Sequence, residues 1–204
     1  MPEAALLLRF RALSIHRYKL QPMNQQQLCG LLNRTTLFCK GNPLKADAFA
    51  LIKEFFSYAS PQEHLKAIDD FIKAALQEDS YWSHGSPANG LFYSEQLELL
   101  IEAAYLMYIK PKKYFLKKRA VVNLPIKELP VLLSAEEYQN PLLVIQQFFQ
   151  QSLLYWKQLL YACTHGALSN TSVAEEVDAA EVLGLFNGLK RLVGAAGSIA
   201  IVTR

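Results

Sequence analysis

Tyr138-Gln-Asn-Pro-Leu-Leu-Val-Ile-Gln-Gln-Phe-Phe-Gln-Gln-Ser-Leu-Leu-Tyr-Trp-Lys-Gln-Leu-Leu-Tyr-Ala-Cys-Thr-His165 is the stretch that decides the fold. Lys157 is the one formal charge between Glu137 and Glu175. Leu142, Ile145, Phe149, Trp156, Leu159, Leu160 and Cys163 recur at helical spacing, and glutamines stand where solvated charges normally sit. An α-helix from Pro141 to His165 would run about 37 Å at 1.5 Å per residue. A helix apolar nearly all round is enclosed on most sides. The segment therefore reads as a buried central helix or as half of an oligomer interface, with Phe149, Trp156 and Leu160 as core or interface residues. Trp156 is expected between helices with its indole N–H on a glutamine or a backbone carbonyl. Lys157 is expected on the one strip that faces water or an acidic neighbour.

Outward from that stretch, helix starts are signposted. Ser60-Pro-Gln-Glu63, Ser134-Ala-Glu-Glu137 and Ser172-Val-Ala-Glu175 have the pattern of capping boxes, and Asn42-Pro43 supplies a cap and a first-turn proline. The spacing predicts helices near 24–38, 43–59, 61–78, 94–109, 135–165 (bent or broken at Pro141) and 172–193. From Leu99 to Ile109 only Glu102 is charged, so 94–109 is the second enclosed helix. Ala180, Gly184 and Gly188 share a ridge of the last helix. Glycine costs about 1 kcal/mol in a helix, which close packing against a neighbour could offset. The alternative is a helix that frays after Glu181. The segments 6–18 and 112–123 fit strand or helix, and as strands they would form a short two-stranded ribbon. Short connections favour antiparallel neighbours. The expected fold is all-α: a single domain over 1–204, a mostly antiparallel bundle of about six helices.

Composition bounds the function. About half of the 204 residues are hydrophobic and a fifth charged, and a net charge of +3 implies no nucleic-acid or membrane partner by itself. Charge is nevertheless segregated. Residues 1–40 carry six basic and one acidic group, 41–109 four and ten, 110–133 seven and one, 134–204 four and six. Alternating blocks match neighbouring elements to each other, or offer a basic face to an anionic partner. Cys29, Cys39 and Cys163 suit free thiols in a reducing compartment. The N-terminus lacks the features of a signal peptide, and Lys190 and Arg191 interrupt the one C-terminal candidate for a membrane span. A cytoplasmic protein without a membrane partner is expected.

Four constellations bear on chemistry. His16, His64, His84 and His165 fall on separate elements without the paired spacing of a bundle metal site, so no metal or cofactor is expected, and His64 reads as a satisfied edge histidine. Lys110, Lys112, Lys113, Lys117, Lys118 and Arg119, with Tyr114 and Phe115 between them, could neutralise phosphates and stack bases. Otherwise they form a solvated loop after a buried helix. Tyr81-Trp-Ser-His-Gly-Ser-Pro-Ala-Asn-Gly90 places serines beside His84, but no nucleophile elbow or phosphate loop accompanies them, and it reads as a connector anchored by Trp82.

Arg11-Ala-Leu-Ser-Ile-His16 resembles the active-site signature of HEPN-type helical nucleases, in which Arg and His sit together on one helix of a dimeric bundle. The resemblance covers six residues and implies a metal-independent ribonuclease with Arg11 and His16 as catalytic residues. The leading expectation is different: a non-enzymatic, self-associating helical interaction protein whose partner is a second copy or another protein. A nucleic-acid-binding protein using basic segments 9–19 and 110–119 is the alternative, and the ribonuclease a further one.

Overall fold

Two helices with almost no charge need other helices around them, and that is the arrangement in the computed structural model, which describes residues 27, 30–40, 42–76, 85–115, 132–169 and 171–202. Among these residues there are nine α-helices and no strand. They are α1 (Asn33–Cys39), α2 (Ala48–Tyr58), α3 (Pro61–Leu76), α4 (Pro87–Ile109), α5 (Pro111–Phe115), α6 (Ala135–Gln139), α7 (Pro141–Phe148), α8 (Leu153–Leu168) and α9 (Ala179–Val202). The count exceeds the expected six. Residues 111–115, which include the first third of the supposed ribbon's second arm, are helical, while 6–18 and 116–123 lie outside the described residues.

α4 is the hub. Every residue from Leu99 to Met107 is buried, including Glu102, and α1, α2, α7, α8 and α9 all pack on it. No face of that stretch is left for water, as an unbroken apolar run with one charge demands. It starts at Pro87, not at Ser94, because Ser86-Pro87 places an extended N-cap residue before a proline in the first turn. Part of the stretch expected to be a connector is therefore helical. α8 lies against both α3 and α4, and α9 runs along α3, α7 and α4. One continuous set of buried apolar side chains joins these helices, from Leu32 through Phe55, Phe71, Leu100 and Trp156 to Phe186 and Ile199.

The deciding stretch is not one helix. Asn140-Pro141 separates α6 from α7, as a proline that removes a donor should. A second break follows Phe148, where no proline or glycine stands. Gln150 N–H turns back to the Gln147 carbonyl at 3.2 Å, and Ser152 caps α8 by accepting from Tyr155 N–H at 3.1 Å. The elbow frees the Phe148 carbonyl from the helical ladder, and the Trp156 indole N–H donates to it at 2.8 Å. Trp156 also stacks on the Phe148 ring, with centroids 4.6 Å apart. A buried polar backbone group thus finds its partner in the residue that fills the elbow.

Two of the three capping boxes form. Ser60 and Glu63 exchange both bonds, and so do Ser134 and Glu137. Ser172 instead starts a short 3₁₀ turn, Val173–Glu175, and donates to the Leu76 carbonyl at 2.7 Å. α9 starts later, with Asp178 accepting from Ala180 N–H at 2.8 Å, and runs without fraying to Val202. A 3₁₀ turn also replaces the start expected at Asn42-Pro43, so α2 begins at Ala48. On the α9 ridge, a Cβ on Gly188 would lie 2.8 Å from the Phe148 ring, so this glycine does serve close packing. Gly184, one turn earlier, has open space above it.

Candidate interaction surface

Lys157 and Glu102, the lone charges of the two most apolar stretches, meet. Lys157 Nζ lies 2.7 Å from Glu102 Oε1 and 2.9 Å from Glu98 Oε1, and donates to the Leu31 carbonyl at 2.5 Å and to Asn33 Oδ1. Its side chain is 11 % exposed and that of Glu102 0 %. The strip expected to face water or an acidic neighbour is thus closed over, with acids as the neighbours. Glu102 also accepts from Thr35 N–H at 2.7 Å and Arg34 N–H at 3.3 Å, so a side chain from α4 caps the start of α1, which has no side-chain cap at its own N-cap residue. Arg34 grips Glu98 at 2.8 Å and Glu95 at 2.6 Å.

Burial drives the Glu98 carboxyl up, but hydrogen bonds and charge from Lys157 and Arg34 outweigh it and hold the group below its ordinary value. Burial likewise lowers Arg34, and Glu98 and Glu95 more than restore it. Every group in this network has an opposite partner, so none is a ready base or nucleophile. Its role is to hold α1, α4 and α8 together.

The expected site residues are scattered. Phe149, Trp156 and Leu160 are 7 %, 9 % and 3 % exposed, which places them in the core and not on a surface. Phe149 packs edge-on to Tyr105 with centroids 5.3 Å apart. Lys110 donates to the Leu44 carbonyl at 2.5 Å. Lys113 donates to Tyr114 Oη at 3.0 Å and faces Asp47 at 3.8 Å, and both it and Lys112 are exposed. Tyr114 is tucked inward, bonded to Ala48 N–H at 3.2 Å. Lys117, Lys118 and Arg119, like Arg11, His16, Trp82 and His84, lie outside the described residues. His64 is not at an edge: it is 1 % exposed, stacked on Phe55, with Nε2 donating to the Phe55 carbonyl at 3.1 Å and Nδ1 unpartnered. Burial lowers its pKa. Buried Cys163 is an inert thiol, pushed up to about 12 by desolvation. Among the described residues no group of three or more His, Cys, Asp and Glu side chains is placed to hold a metal, and no helix is long and apolar enough to cross a membrane.

The exposed side of α8 is the surface that sequence reasoning missed. α3 and α4 cover one flank of this helix, and the other presents Leu154, Gln158, Tyr161, His165 and Leu168. Leu154 is 47 %, Tyr161 76 % and Leu168 36 % exposed. These positions alternate four and three apart, the spacing of a coiled-coil seam. No carboxylate, lysine or arginine interrupts them, because Lys157 is turned inward. Comparison of the chain with protein-family models, curated proteins and solved structures gave no match.

Proposed function

We propose that the protein is a non-enzymatic interaction protein that self-associates through the exposed stripe of α8. The observation that supports this is the symmetry of the stripe about Tyr161. Leu154 and Leu168 each stand seven residues from it, and Gln158 and His165 fall at nearly equal distances. A two-fold interface requires one surface to be complementary to itself. With two α8 helices antiparallel and Tyr161 on the axis, Leu154 of one copy meets Leu168 of the other, and Gln158 meets His165. Absence of formal charge removes like-charge repulsion across the axis, and the polar pair fixes the register. From Leu154 to Leu168 the stripe is about 21 Å long, so the association is at the weak end of specific interfaces.

Sedimentation equilibrium over a wide concentration range is the test. Average mass should rise toward twice the chain mass of 23.1 kDa, and Tyr161→Glu, which sets two negative charges face to face, should return it to the monomer with unchanged thermal unfolding. A monomer at every concentration, or self-association unaffected by Tyr161→Glu, would overturn the proposal. Nucleic-acid binding through the basic segment has less support. Of its three described lysines, Lys110 is held by the Leu44 carbonyl and half-exposed Lys113 faces Tyr114 and Asp47, so Lys112 is the one without a protein partner.

A further inference from the structure

Between the α7–α8 elbow and α9 lies an open cleft of about 300 Å³, at the small end of ligand sites. Gln147, Gln150 and Gln151 line one side, and Gly184, Asn187 and Arg191 the other. None of the four exposed carboxamides makes a hydrogen bond within the described structure, so each has an acceptor and a donor pair available at the cleft. Arg191 is bound by Glu137, which cancels its charge. The lining is therefore rich in paired donors and acceptors, and its one formal charge, on Arg191, is balanced by Glu137, which does not itself line the cleft.

That combination selects the ligand. An anion would need an uncompensated cation, and the one present is already paired. A sugar would want a free aromatic face. The two rings that touch the cleft, Phe148 and Trp156, stack on each other and are 5 % and 9 % exposed. A secondary amide, which donates and accepts at once, fits a primary carboxamide in both respects. Gly184 adds a second observation. It costs helix stability relative to alanine, nothing packs within 4 Å of its Cβ position, and that bare backbone opens to the cleft. Gly188 is explained by the Phe148 ring, whereas nothing in the described structure packs on the exposed Gly184, which leaves its backbone open to an approaching chain.

We propose that this cleft binds a short, extended, uncharged peptide segment through its backbone amides, held by the carboxamides of Gln147, Gln150, Gln151 and Asn187 over the bare backbone at Gly184. The site lies off the α8 stripe and does not depend on self-association.

The test is a ¹⁵N correlation titration of the full chain with N-acetyl-trialanine-N-methylamide, with glucose and inorganic phosphate as comparison probes. Side-chain NH₂ signals of the four residues, assigned by single substitution, should shift saturably with the peptide and stay fixed with glucose or phosphate. Gly184→Leu should abolish the shifts while circular dichroism stays native. Asn187→Leu, at an exposed helix position, should weaken binding roughly threefold to tenfold, the worth of one hydrogen bond. No shift at the solubility limit of the peptide, equal shifts with glucose or phosphate, or undiminished binding by Asn187→Leu or by folded Gly184→Leu would each overturn the proposal.

Discussion

Replacement of Lys157 by methionine separates a buried ion network from a surface lysine. Methionine keeps most of the side-chain volume and removes the charge. In the native structure four oxygens converge on Lys157 Nζ, from Leu31, Asn33, Glu98 and Glu102. Without it, Glu102 stays fully enclosed with a charge answered only by two backbone N–H groups, and the Leu31 carbonyl loses its recorded donor. Breaking a buried pair by removing one partner costs about 3–5 kcal/mol, whereas truncating a solvated lysine stays within about 0.5 kcal/mol. Glu98 keeps Arg34 and Glu102 keeps the amides of Arg34 and Thr35, so the lower end, about 3 kcal/mol, is expected. That is a large share of the roughly 5–15 kcal/mol that holds a domain together. Urea unfolding followed by circular dichroism measures it. Addition of Glu102→Gln to Lys157→Met should then cost less than the sum of the two single changes, with a coupling of about 1–3 kcal/mol, because the orphaned charge is gone. A Lys157→Met protein within about 0.5 kcal/mol of wild type, or strict additivity in the double variant, would refute the network.

Three further outcomes are expected. Burial lowers the His64 pKa in the folded state, so below the unfolded value near 6.5 the unfolded chain binds the extra proton. Stability is then lost as pH falls from about 7 toward 5, and His64→Phe should flatten that dependence in urea midpoints taken across this range. Trp156→Ala should cost about 3–5 kcal/mol, while Trp156→Phe, which keeps a ring on Phe148 but strands its carbonyl, should cost about 1–3 kcal/mol by the same denaturation assay. Alanine at the two α9 glycines should act in opposite senses: Gly188→Ala lowers the melting temperature because its Cβ meets the Phe148 ring, and Gly184→Ala raises it by the equivalent of about 1 kcal/mol.

Helical class was legible because the periodicity of 61–76 and the caps at Ser60 and Ser134 are local signals that tertiary contacts did not override. The centre of the fold was legible too, since an eleven-residue run with Glu102 as its one charge has nowhere to go but inside. The elbow at Phe148–Ser152 was not. Serine at an N-cap is ordinary, and only the packing of Trp156 into the bend gives the break its energy. The stripe did set Leu160, which is buried, apart from exposed Tyr161, but it did not tell Leu153 from Leu154. Those two are apolar neighbours in sequence, and the flank covered by α3 and α4 decides which becomes core. Lys157 and Glu102 were each conspicuous as solitary charges of opposite sign in apolar helices, which is itself a hint that they pair.

The cap that Glu102 lends to α1 also sets an order of events in folding. A seven-residue helix is too short to persist alone in water. Its first amides and the Leu31 carbonyl just before it are answered by side chains from α4 and α8, far along the chain. Those side chains come into place when α8 docks on α4. Segment 31–39 is therefore expected to join late, and substitutions within it should then speed unfolding while leaving the folding rate almost untouched in stopped-flow measurements.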